Sequence, residues 1–282
     1  MKTLRLLQTV DRRVLYVLLL LSVPAPFFLK IRLPMKVSPA TKTLYDHIET
    51  LQEGDFVLLA VDWSAGTRGE NGPQTEAIIT HLMRRKCRFA MLSFEPQSPT
   101  ICQVVAERLG KEYKREEGKH WINWGYRVDP KNFLKGFVQD IPGVIKTTFK
   151  QEDVSSVEKF PVMQGVKTAN DIKFIMSITP SNVYQTYIQF VAGAKKIPMG
   201  VAPTSVIVPE VFNYLDSGQI IGMMPGLPGA GEYESLLGTN TKVTRFANSV
   251  SFAHLLIILF IVLGNVAMIL EKRQQARAGG LA

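Results

Sequence analysis

Residues 252–270 form nineteen consecutive positions without a charged side chain, and no other stretch constrains the chain so strongly. As a helix rising about 1.5 Å per residue, such a stretch reaches about 28 Å, close to the hydrocarbon thickness of a bilayer. A buried core helix is the alternative, but the length and the lack of charge match a membrane span. A second uncharged stretch, 14–29, contains the run Val17, Leu18, Leu19, Leu20 and Leu21 and is interrupted by Pro24 and Pro26. To cross a bilayer it must tilt, thin the membrane, or let Lys30 and Arg32 reach the interface. The basic residues ahead of it also suit a secretory signal. Its best small-residue cleavage site, Val23-Pro24-Ala25, is however followed by Pro26, which opposes cleavage. The sequence therefore predicts one transmembrane helix at each end. The layout is a basic segment 1–13, a helix 14–33, an α/β domain 34–247, a second helix 248–270 and a basic tail 271–282.

The formal charge of +9 invites a nucleic-acid reading, and its distribution removes that reading. Residues 31–251 carry 25 Lys and Arg against 22 Asp and Glu, a surplus of only +3. The other +6 flanks the two apolar stretches, where it suits lipid headgroups. The expected partners are thus the lipid bilayer and either other membrane subunits or further copies of the chain, with no nucleic acid. Basic residues tie on the two sides of the first stretch. Lys272, Arg273 and Arg277 outnumber Lys242 and Arg245 at the second, which slightly favours a cytoplasmic C-terminus. The expected location is the cell membrane, with two spans and the domain on the extracytoplasmic side.

Between the spans, short apolar runs alternate with helical periodicity. Residues 55–62 (DFVLLAVD) form the best strand, nearly continuous in apolar character as in a strand buried on both faces. A helix over 73–86, a strand over 88–94 and a helix over 98–114, capped by Ser98 with Pro99 at its first position, follow. Further strands are expected at 121–128, 171–178, 199–201 and 219–224, with helices over 182–195 and 209–215. A polar, glycine-bearing stretch fills the region to 151, and a glycine-rich turn is expected over 225–231. This alternation predicts an α/β fold: an open, doubly wound, mostly parallel, Rossmann-like sheet.

In such sheets the ligand crevice lies beyond the carboxyl ends of the strands. The first strand ends in DWSAGTRGEN, so Asp62, Ser64, Thr67, Arg68 and Glu70 are candidate ligand-binding residues. Asp62 can hold a cation or orient a hydroxyl, and Arg68 can clamp an anion. A plainer account has Asp62 and Ser64 accepting backbone N–H groups in the turn while Arg68 and Glu70 are solvated. The loop lacks the spacing of a P-loop or a dinucleotide fingerprint. The second candidate is the glycine-rich segment with Gly229, Glu232 and Glu234, joined by Thr204 and Ser205 after the fifth strand. Its plainer account is an ordinary connection whose acidic residues favour a helix N-terminus.

No cofactor is specified. His47, His81, His120 and His254 fall in separate segments, and Cys87 and Cys102 lack metal-site spacing, so no metal centre or catalytic triad is predicted. The two cysteines suit small buried thiols better than a disulfide. His254 is expected at the membrane interface, and Asn265, deeper in the second span, is a candidate for helix association through its amide. Trp63, Trp121 and Trp124 can build an aromatic ligand platform, but the two in a predicted strand, Trp121 and Trp124, suit core or sheet-face positions better. These features predict a membrane-anchored α/β domain that binds a ligand or partner, a non-enzymatic subunit of a larger membrane assembly. The alternative is a membrane-bound hydrolase or transferase acting on a phosphorylated or carboxylated substrate with a divalent cation.

Overall fold

The computed structural model describes residues 11–24, 36–154, 159–239 and 242–279. The chain divides into two compact units, Met35–Asn240 and a helical unit made of both termini.

In the terminal unit, α1 (Arg12–Ser22) begins after Asp11, whose carboxylate accepts the Arg13 N–H. With eleven residues α1 reaches about 16 Å, half of a hydrocarbon core. Pro24, just beyond it, has no N–H with which to continue the ladder. Residues 25–33 of the span expected over 14–33 lie outside the described residues. Among the described residues, therefore, one helix and not two is long and apolar enough to cross a bilayer, Phe252–Leu270.

The larger unit opens with α2 (Pro39–Thr50), capped by Ser38. Then come β1 (Phe56–Val61), α3 (Arg68–Arg84), β2 (Arg88–Ser93), α4 (Ser98–Tyr113) and β3 (Trp121–Tyr126). Helices α5 (Pro130–Gln139) and α6 (Ile141–Val144) lead to β4 (Phe174–Thr179). Helix α7 (Val183–Tyr187) continues through a π-turn over Ile188–Ala192. After it come β5 (Met199–Pro203), α8 (Val208–Asp216), β6 (Gly222–Met223) and α9 (Gly226–Leu237). The chain's last helix, α10 (Lys242–Gly279), belongs to the terminal unit.

All six strands are parallel, in the order β3-β2-β1-β4-β5-β6, a Rossmann-like α/β fold. The register places Leu58 beside Ala90 and Ile175, so the central strands bury apolar side chains on both faces. Each fully buried Leu, Ile or Val stabilises by about 1.5–3 kcal/mol, so this apolar centre is the main source of the fold's stability.

Three local expectations are corrected. Helix α3 starts at Arg68, not at 73, and accommodates Pro73 at the loss of one N–H donor. The stretch before 151 contains α5 and α6, each capped by an aspartate, Asp129 and Asp140. The glycine-rich segment over 225–231 is not a turn but the first part of α9. Its glycines are steric: a Cβ on Gly229 would lie 2.5 Å from Pro225 Cδ. The unanticipated α2 rests on the backbone of β6, where a Cβ on Gly222 would stand 2.7 Å from Leu44 N. Such contact needs glycine.

Candidate functional site

The strand order reverses between β1 and β4, and the first candidate residue, Asp62, stands at that switch point. Its N–H continues the ladder to the Ile178 carbonyl at 2.9 Å, which fixes the backbone at the end of β1. Its side chain turns toward β2, where Oδ1 accepts the Phe94 N–H at 2.6 Å. Asp62 is 4% exposed, and Oδ2 has no hydrogen-bond partner. Burial pushes its carboxyl up to about 7, against the pull of the Phe94 N–H and the Tyr187 and Ser93 hydroxyls. Tyr187, from the end of α7, presents its phenol to Asp62 but stands outside hydrogen-bonding geometry, so its buried Oη is also unpartnered. Burial, and then the Asp62 charge, holds that phenol well above its ordinary pKa.

Polar groups from β4 close the other side. The Thr179 hydroxyl lies 3.3 Å from the Asp62 carbonyl and accepts the Ser181 N–H at 3.0 Å. Trp63 is buried with its indole N–H unmet. Ser64, half-buried, precedes a 3-10 turn over Ala65–Thr67, and the Thr67 hydroxyl approaches the Ser64 carbonyl at 3.4 Å. Arg68 is exposed. This neighbourhood can hold a proton on a carboxyl at neutral pH, and it retains acceptor and donor atoms that the fold itself does not use.

The remaining candidates gather elsewhere on the carboxyl edge. Glu70 turns away from Asp62 toward β5: its Oε2 accepts the Ser205 N–H at 2.8 Å and the Ser205 hydroxyl at 2.6 Å. A Cβ on Gly226 would meet both groups, so this glycine, at φ +56°, seals the cluster. Thr204 is buried, and its N–H bonds to the Thr179 carbonyl at 3.2 Å. Glu232 reaches α2, accepting the Ser38 N–H at 3.0 Å and the Ser38 hydroxyl at 2.7 Å, and so reinforces the cap of that helix. Glu234 is buried within α9, and Gly229 serves the close packing already described. The structure thus brings together Glu70, Ser205 and Gly226, while Asp62 and Glu232 each have other neighbours.

Sequence reasoning missed Gln74, Phe94 and Tyr187. Gln74, buried in α3, donates to the carbonyls of Pro203 and Met224 at 2.9 Å each and of Gly226 at 3.2 Å, and accepts from Asn71. The sequence offers no signal for it, because the buried face of α3 carries Asn71, Thr75 and His81 as well. Cys87 and Cys102 are free and buried. Among the described residues no three His, Cys, Asp or Glu side chains are grouped so as to hold a metal ion. A cavity of about 820 Å³ opens at the opposite, amino end of the sheet, between the π-turn, Met199, Tyr214 and Ile221. Comparison with protein-family models and with curated proteins finds no match to the chain.

Proposed function

We propose that the protein is a membrane-anchored α/β domain that binds a ligand or partner at the switch point around Asp62, as a non-enzymatic subunit of a larger membrane assembly. The observation that carries the anchoring is the outer surface of α10. Leu255, Ile258 and Ile261 are 60%, 59% and 57% exposed in a nineteen-residue apolar stretch. Water does not tolerate so long an apolar surface, and lipid does. In this reading 14–33 forms a second span with α1 at its start, and the domain faces the extracytoplasmic side. Binding near Asp62 is supported by the unmet Oδ2 and Tyr187 Oη on the edge where such sheets take their ligands.

The test is alkaline carbonate washing of native membranes, followed by gentle extraction and native mass spectrometry. Retention in the membrane with stoichiometric partner chains is expected; release by carbonate overturns the anchoring. A second reading, a hydrolase or transferase for a phosphorylated or carboxylated substrate, draws on the Asp62 carboxyl near neutrality and on the exposed Arg68 as an anion clamp. Turnover of such a substrate lost in a folded Asp62→Asn variant would replace the first reading with this one.

A further inference from the structure

The apolar part of α10 has two unlike faces. Helix α1 packs against α10. The residues of α10 with reduced exposure include Ala253, Leu256, Phe260 and Ala267, the last only 2% exposed. On the opposite face His254, Ile258, Ile261, Asn265, Met268 and Lys272 are all exposed. They follow one another at steps of four, three, four, three and four residues. That spacing keeps one stripe facing a partner helix along a left-handed supercoil; Leu255, Leu259, Val262, Val266 and Ile269 are exposed at the same spacing, so what distinguishes this seam is its one amide. Its middle position is an amide. Asn265 Nδ2 donates to the Ile261 carbonyl of its own helix at 2.9 Å, which leaves its second N–H and its Oδ1 directed off the helix. In hydrocarbon neither group finds water.

We infer that this seam is a homodimer interface, in which two copies pack α10 in parallel and their Asn265 amides hydrogen-bond to each other across a two-fold axis. The inference rests on the membrane reading above. Three features favour a second copy as the occupant. Copies inserted by the same route share one orientation, so their helices are parallel. A two-fold axis then places each seam residue opposite itself. An amide, being both donor and acceptor, is complementary to itself, and one asparagine in a heptad seam is a device that sets the register of parallel pairs. Ile258 and Ile261, the two seam positions before it, add stiff β-branched side chains.

The test uses the full chain in phosphatidylcholine vesicles, first washed with carbonate. Because Cys87 and Cys102 are buried, oxidative cross-linking reports an introduced cysteine. Ile261→Cys should yield disulfide-linked dimers, and Leu259→Cys, off the seam, should not. Asn265→Leu should weaken association by about three- to thirty-fold, read as energy transfer between labelled copies on lipid dilution. Equal cross-linking at both positions, an unchanged affinity in Asn265→Leu, or a native mass showing one copy bound to a different protein overturns the homodimer while leaving the anchoring intact. Release by carbonate removes the membrane reading and this inference with it.

Discussion

Two polar clusters sit on the carboxyl edge of the same sheet and have opposite hydrogen-bond economies. Around Gln74 almost every group is met: one amide ties β5, β6 and the start of α9 together, and Glu70 holds Ser205 beside it. Around Asp62 two buried atoms are unmet, on Asp62 and Tyr187. The difference separates fastening from readiness. A satisfied buried network stabilises and specifies its own geometry, whereas unmet buried groups are a standing cost that a ligand or a proton can offset.

The largest effect that tests this contrast belongs to Gln74. Gln74→Leu strips three carbonyls and the Asn71 amide of their partner, and it should lower stability by about 3–5 kcal/mol. Urea unfolding of the detergent-solubilised chain, followed by tryptophan fluorescence, measures it, because Trp63, Trp121 and Trp124 are all buried in the sheet domain. A loss under about 1 kcal/mol would mean that the network is not the fastening described.

Asp62 gives the next largest effect, and with a distinctive pH dependence. Its folded carboxyl titrates at about 7 against an ordinary 3.8, so the folded state holds a proton that the unfolded state has released. Stability from this group is therefore present at low pH, falls as pH rises from about 4 to about 7, and is level above that. Asp62→Asn keeps the oxygen that accepts from Phe94 and carries no charge, so the fall that Asp62 contributes over that window should be missing from its curve, while the opposite rise from His81, whose ring burial holds down to about 4, remains in both proteins. At pH 8 the variant should be the more stable by about 2–4 kcal/mol, roughly the linkage value of a three-unit shift. Parallel pH curves for the two proteins would contradict a buried, neutral Asp62.

The sheet was legible because parallel strands buried on both faces read as apolar runs, as in Phe56–Val61 and Phe174–Thr179. Helix α2 was not: Leu44 and Ile48 are its only large buried apolar side chains, and its stability depends on contact with β6 that no local pattern records. The glycines of α9 misled because propensity assigns them to turns, while here close packing requires them. At the site, a carboxylate at a strand end announces itself in the sequence. Its environment does not: Phe94 lies 32 residues away, and Glu70 bonds to Ser205 across 135. Such pairs have no periodicity. Asp62 and Glu70 were candidates for one site because they share a loop, but α3 starts early enough to turn Glu70 toward β5.

The smallest effect sharpens the contrast most. At low pH, where Asp62 is neutral, Tyr187 Oη has no hydrogen bond to lose, so Tyr187→Phe should there change stability by less than about 0.5 kcal/mol, unlike removal of a bonded buried hydroxyl. Its consequence should appear instead in its neighbour. The phenol is one of the groups that pull the Asp62 carboxyl down against burial, so without it Asp62 should titrate above about 7, at unchanged fold stability below that pH. Carbon-detected NMR of the Asp62 carboxyl across the titration reads this directly. An upward shift with little loss of stability marks a phenol poised over a proton-holding carboxyl. A large loss of stability with no shift would mean that Tyr187 is packed there for the core alone, and that the edge around Asp62 is as self-contained as the one around Gln74.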